Sequence, residues 1–248
     1  MKIIFCGAHP DDAEIYAYGT LFAYKGLGAG LIQVMACNGD GGLTARSKLR
    51  PLAETRREEA ERSAAMLGSR LIQLGYGDAT LCRNRYSLSA QLEQIFTTEM
   101  PDLIITHSIN DYHVDHRVLS AAVTMAAAEQ YPIAYADNMK GQSFQPSHYV
   151  DITGHLEQKL LCLRQHQSQK PRRYVLACRE LAARRGREAT GTNGVQMEAF
   201  RLERYPRFKA PFLRLSSKVT EAKNLPVIVP SRSAATSGLP VSSGGDPP

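Results

Sequence analysis

A six-residue run, Ile3-Ile4-Phe5-Cys6-Gly7-Ala8, stops at His9-Pro10-Asp11-Asp12. An apolar stretch this short, β-branched and aromatic, fits a strand buried on both faces. Such a strand needs neighbours in its own plane and helices above and below it. The chain supplies both in alternation. Residues 2–8 predict a strand, 13–26 a helix stopped by Gly26 and Gly28, Ala29 to Cys37 a second strand, and 38–42 a loop. Leu52 to Leu67 predicts an amphipathic helix with Gly68 as its C-cap, Arg70 to Leu74 a third strand, and 75–78 a loop. Ser89 to Thr98 predicts a helix, Leu103 to Thr106 a strand introduced by Pro101, and 117–130 an Ala-rich helix. A strand at 148–153 and a helix from His155 to His166 continue the pattern. Residues 171–195 are rich in Arg and Gly and predict loop in part, with 196–203 following. This alternation argues for an α/β class with a parallel, doubly wound sheet, whose ligands sit outside the C-terminal strand ends.

With 248 residues and 43% apolar content, one sizeable domain is expected over 1–215. From Ser216 onward Ser, Pro, Gly, Ala and Thr dominate, so 216–248 is expected to be a disordered tail. No apolar run reaches the roughly 20 residues of a membrane span, and charge by residue 9 argues against a signal peptide. The five cysteines are widely spaced with no C-x-x-C, which predicts reduced, mostly buried thiols and a cytoplasmic protein. The net charge of +6 owes much to basic residues between Arg164 and Arg187. A solvated helix face and loop account for them; a surface for an anionic substrate or nucleic acid is the alternative. No aromatic interleaving supports nucleic-acid binding.

Two clusters carry the chemistry. His9-Pro10-Asp11-Asp12 follows the first strand, and His113-Val114-Asp115-His116 follows the strand Leu103 to Thr106. His9 and Asp12, three apart on a turn, can aim at one point, and His116 can supply a third ligand from the neighbouring crossover. A His-His-carboxylate set with an open position suits zinc, or Fe2+ as the alternative. Asp11 then stands near the metal as a base for the water it activates. His113 can steady an oxyanion or pass a proton to a leaving amine, and Asp115 can hold such a ring in orientation. Asp12 could instead cap the following helix. His107 is expected to be structural or supporting and not a ligand.

AHPDDAE at 8–14 and HVDHR at 113–117 resemble the two signature motifs of the LmbE-like, or PIG-L, family of N-acetylglucosaminyl deacetylases. Weaker echoes follow in order: NGDGG at 38–42, Arg56-x-x-Glu59, LG at 67–68, Gly77-Asp78, PDLIITH at 101–107, DIT at 151–153, HQSQ at 166–169 and EAF at 198–200. The resemblance spans roughly 1–205 and implies a Rossmann-like, mostly parallel sheet flanked by helices and a zinc-dependent amide hydrolase. It implies His9, Asp12 and His116 as zinc ligands, Asp11 as general base and His113 as oxyanion stabiliser or acid. It implies Arg56 and Asp78 as sugar-holding residues, although Arg56 and Glu59 one turn apart also read as a surface pair. The DDAEI form looks more like the bacterial branch that deacetylates N-acetylglucosaminyl-malate than the mycothiol branch. Tyr16-Ala17-Tyr18-Gly19 departs from the small, Gly-rich run usual in the family, which leaves the acyl-sugar open.

The expected reaction is hydrolysis of the acetamide of an N-acetylated amino-sugar conjugate, giving acetate and a free amine. The expected partner is that small molecule, with a homo-oligomer left open. A non-catalytic sugar- or metabolite-binding protein with the same fold is the alternative. A dinucleotide enzyme is excluded, because His-Pro-Asp-Asp stands where G-x-G-x-x-G would cradle a pyrophosphate.

Overall fold

The computed structural model describes residues 1–42, 51–139, 143–203 and 228–230. Its centre is the first apolar run. β1 (Lys2–Gly7) lies between β2 (Gly30–Cys37) and β4 (Leu103–His107), parallel to both. β3 (Arg70–Tyr76) extends the parallel sheet beyond β2, and β5 (Ile133–Ala136) extends it beyond β4. β7 (Met197–Glu203), β6 (His148–Asp151) and β8 (Ile228–Pro230) then add on in antiparallel fashion, for the order β3-β2-β1-β4-β5-β7-β6-β8. The mostly parallel α/β sheet is therefore as expected.

Alternation along β1 divides the core. Ile3 and Phe5 pack on one layer with Leu21, Leu67 and Leu160, while Ile4 and Cys6 pack on the other with Leu92, Phe96 and Val123. The first layer is built from α1 (Asp12–Tyr16), α2 (Tyr18–Gly26), α3 (Leu52–Leu67), α6 (Leu156–Leu163) and α7 (Arg172–Thr190). The second is built from α4 (Leu81–Glu99) and α5 (Val114–Ala127). The chain leaves β1 toward β2 and β3 and returns on the other side at β4. The strand order thus reverses between β1 and β4 and opens a crevice at their C-terminal ends.

Several elements differ from the sequence expectation. The helix at 13–26 is two helices broken at Ala17. Residues 171–195 are mostly the 19-residue α7, stopped by Gly191 at φ 74. α4 starts eight residues before Ser89, β3 runs on to Tyr76, and α5 begins at Val114, so His116 sits on a helix. β5 had no counterpart in the sequence reading. The tail over 216–248 lies outside the described residues except Ile228–Pro230, which pair with β6 as a short strand. Cys6, Cys37, Cys162 and Cys178 are buried and Cys82 is exposed, all as free thiols.

Candidate metal centre and cleft

The turn after β1 is closed by its own polar atoms. The His9 N–H donates to Asp12 Oδ2 at 2.7 Å and the Asp12 N–H to His9 O at 3.1 Å. Asp12 opens α1. Across the crevice His113 is the N-cap of α5, its Nδ1 accepting the Asp115 N–H at 3.2 Å. That bond puts the proton of a neutral His113 on Nε2. His116 lies in the first turn of the same helix.

Three side chains converge. His9 Nδ1 is 3.3 Å from His116 Nε2 and 3.6 Å from Asp12 Oδ2, and Asp12 Oδ1 is 3.4 Å from His116 Nε2. Ligands about 2.1 Å from a tetrahedral ion stand about 3.4 Å from one another. The two imidazole nitrogens and the Asp12 carboxylate, which meets one ring with each oxygen, thus have distances and chemistry that suit a divalent cation. Asp12 divides its work, Oδ2 holding the turn while Oδ1 faces His116. Both imidazoles are backed by carboxylates at ion-pair distance. His9 Nε2 is 3.4 Å from Asp115 Oδ2, and His116 Nδ1 is 3.2 Å from Asp111 Oδ1. The ring that the Asp115 carboxylate faces is thus His9 and not His113, because the turn into α5 points it under the first cluster.

Overlapping groups of metal-binding type also occur: His9, His113 and His116; Asp12, His107 and His116; and His9, Cys37 and Asp115, each with ligand atoms within 4.8 Å. His107 is engaged otherwise. Its Nε2 accepts the Ala8 N–H at 3.1 Å, and its ring stacks on His116 with centroids 3.8 Å apart. Burial, together with the neighbouring His116 charge, pushes the His107 pKa down to about 4. Burial raises the Cys37 thiol, with Asp115 adding to it, which opposes the thiolate a metal needs.

Burial opposes charge on His9, but Asp115 and Asp12 outweigh it and carry its pKa up to about 10. Burial likewise opposes charge on His116, and Asp12 and Asp111 raise it to about 9. Burial disfavours the Asp12 carboxylate, yet the His116 charge, foremost, holds it well below the usual range. Burial, with the charges on His9 and His116, lowers His113. The carboxylates of Asp12, Asp111 and Asp115 thus favour protons on His9 and His116, while His107 and His113 are pushed toward the neutral form.

Asp11 is 6% exposed, and its Oδ1 accepts from Arg56 Nη2 at 2.6 Å. Arg56 also reaches Gly39 O at 3.4 Å. One turn along α3, Glu59 accepts the Ser168 N–H at 2.8 Å and the Ser168 hydroxyl at 2.6 Å. Arg56 and Glu59 are therefore no surface pair. One clamps the cleft floor and the other the HQSQ segment, which brings Gln169 to the cleft. Asp78 accepts the N–H groups of Gly39 and Gly41 at 2.9 and 3.0 Å and so holds the glycine loop shut.

The cleft encloses about 230 Å³, room for a small polar ligand rather than a large apolar one. His9, Asp11, Asp12, His113 and His116 line it with Arg56 and Asp78; Asp115 lies below. Tyr16 joins the wall, its ring edge-on to His107 and His116 at 5.0 and 5.7 Å. Tyr18 points inward instead, its hydroxyl accepting from Gln33 at 2.9 Å and Ser63 at 3.1 Å. Sequence reasoning missed Asp111, Tyr112 and Tyr174, and met Arg173 only as one of the basic residues between Arg164 and Arg187. Only the place of Asp111, two residues before His113, could have flagged it.

The model of the PIG-L family, described as GlcNAc-PI de-N-acetylase, matches residues 4–127, half of the chain. A diacetylchitobiose deacetylase of Thermococcus kodakarensis is 28% identical over 189 residues, 68% of this chain and 70% of that protein. The solved N,N'-diacetylchitobiose deacetylase of Pyrococcus horikoshii has a TM-score of 0.70 at 26% identity, covering 82% of this chain and 83% of that one. The 4-carboxy-2-hydroxymuconate hydratase of Pseudomonas putida has a TM-score of 0.72 at 20% identity, covering 84% and 98%. That fold thus also houses a hydratase, and the site rather than the scaffold must decide the chemistry. The family model spans the strand-end turn of the first cluster and the helix of the second, and on that evidence the chain belongs to the PIG-L family.

Proposed function

We propose that the chain is a metal-dependent deacetylase that hydrolyses the acetamide of an N-acetylated amino-sugar conjugate. The observation that carries this reading is the meeting of His9, His116 and Asp12 at 3.3–3.6 Å beside the Asp11 carboxylate. His9, Asp12 and His116 would hold the cation, with zinc the ion best matched to two imidazoles and a carboxylate. When bound, it would polarise the amide carbonyl and acidify a water.

The protein's own groups do the rest. Arg56 occupies Oδ1 of Asp11, which leaves Oδ2 to take the proton of the attacking water. His113, its Nδ1 engaged by the Asp115 N–H, offers Nε2–H to the tetrahedral oxyanion. Asp11 then returns its proton to the amine nitrogen as the C–N bond breaks, and acetate and free amine leave. Arg56 and Asp78 border the cleft where a sugar hydroxyl would lie. The deacetylases among the relatives support this substrate class.

The test is a screen of zinc-loaded protein against N-acetylglucosamine, N,N'-diacetylchitobiose and N-acetylglucosaminyl conjugates, with free amine and acetate both quantified. Equimolar amine and acetate from at least one is expected. Stoichiometric zinc with no acetate from any of them supports the binding-protein alternative.

A further inference from the structure

α1 ends at Tyr16 and α2 begins at Tyr18, with Ala17 between them at φ −147 and ψ 0. The break strands backbone groups in the protein interior, and two distant side chains take them up. Glu198, on β7, accepts the Gly19 N–H at 3.1 Å and the Thr20 N–H at 2.8 Å, one on each oxygen. Lys159, on α6, donates to Ile15 O at 2.9 Å and to Glu198 Oε1 at 2.5 Å. Both side chains are buried, at 3% exposure for Lys159 and 6% for Glu198. Gly19 lets the Ile152 side chain pack against the first turn of α2, since a Cβ there would lie 2.7 Å from it. The pair therefore grips the last turn of α1 with one member and the first turn of α2 with the other.

α1 has five residues, too few to hold a helix unaided. It carries Asp12 at its start and Tyr16 at its end. A buried ion pair is weak evidence of a stabilising role, because apolar replacements are often neutral or better. We propose that Lys159 and Glu198 are positioning residues for the metal centre: by stitching the break at Ala17 they fix α1, and with it the Asp12 carboxylate, against His9 and His116. The proposal rests on the reading of those three residues as metal ligands.

The test titrates zinc against a chelating indicator into the parent, His116→Ala, Glu198→Gln and Lys159→Met proteins, and records the visible bands of Co2+ in each. The folded Glu198 and Lys159 variants are expected to bind zinc about tenfold more weakly with shifted Co2+ bands, the size of effect that groups supporting metal ligands have. A lowered melting temperature with parental zinc affinity and parental bands overturns the proposal. A His116→Ala protein that binds zinc like the parent overturns the metal reading first, and the proposal with it. Should neither variant of the pair fold, the parent carries the test, because coupling between sites is reciprocal. Zinc must then slow amide hydrogen exchange over residues 15–20 more than along α4, and equal slowing in both overturns the proposal.

Discussion

Asp11 is held by the Arg56 guanidinium, which fixes where its carboxylate points. With Oδ1 on Arg56 at 2.6 Å, the carboxylate cannot swing away from the cleft. Asp11→Asn keeps that acceptor and removes the basic oxygen. It should lower kcat by about 10²- to 10⁴-fold with zinc content unchanged. Turnover within a few fold of the parent, measured beside elemental analysis, would remove Asp11 from its role. Asp111 tests the support of the other imidazole. Asp111→Asn should weaken zinc binding by about 10- to 100-fold in a competition titration. The metal-free rings give a third test. Only one N–H fits in the 3.3 Å between His9 Nδ1 and His116 Nε2, and raised pKa values near 10 and 9 keep at least one proton there at pH 7. Ligation requires those atoms neutral, so affinity falls as pH falls, by about tenfold per unit for each proton displaced. Calorimetry at pH 7 in buffers of differing ionisation enthalpy should show at least one proton released per zinc. None released would contradict the ligand set.

At the scale of elements, α7 shows where composition misleads. Its arginines and Gly186 read as loop, yet the helix runs from Arg172 to Thr190. Gly186 is there for contact, since a Cβ would sit 1.9 Å from the backbone oxygen of Val195. Gly186→Ala sets two effects against each other. Helix propensity gains about 0.5–1 kcal/mol, and overpacking against backbone costs about 1–3 kcal/mol. The clash should win, and thermal unfolding should show a melting temperature several degrees lower. A rise would mean that the segment at Val195 yields freely. The break at Ala17 was illegible for a different reason. The side chains that satisfy it, Glu198 and Lys159, lie more than 140 residues away, and the local pattern of 13–26 is helical throughout. β5 went unseen because four apolar residues, Ile133–Ala136, are too few for periodicity to register. By contrast, α3 matches its expected ends at Leu52 and Leu67, because Gly68 at φ 70 is a stop signal with a steric cause.

For the molecule as a whole, β1 is decisive. Its alternation feeds two core layers, and its place between β2 and β4 puts the reversal of strand order where both clusters emerge. The parallel half of the sheet and the two clusters were legible because each strand end carries its chemistry within a few residues. β6 was legible as a strand within 148–153, but the antiparallel direction of β6, β7 and β8 was not, since strand direction depends on partners that local sequence does not name. Among the described residues no helix is long and apolar enough to cross a membrane. The central claim is that two segments a hundred residues apart share one cation. Anomalous diffraction from zinc-loaded crystals tests it most directly. One peak within about 2.0–2.2 Å of His9 Nδ1, His116 Nε2 and an Asp12 oxygen is the predicted result. A peak on His107 or Cys37 without His9 and His116 together, or no peak in the cleft, would contradict it.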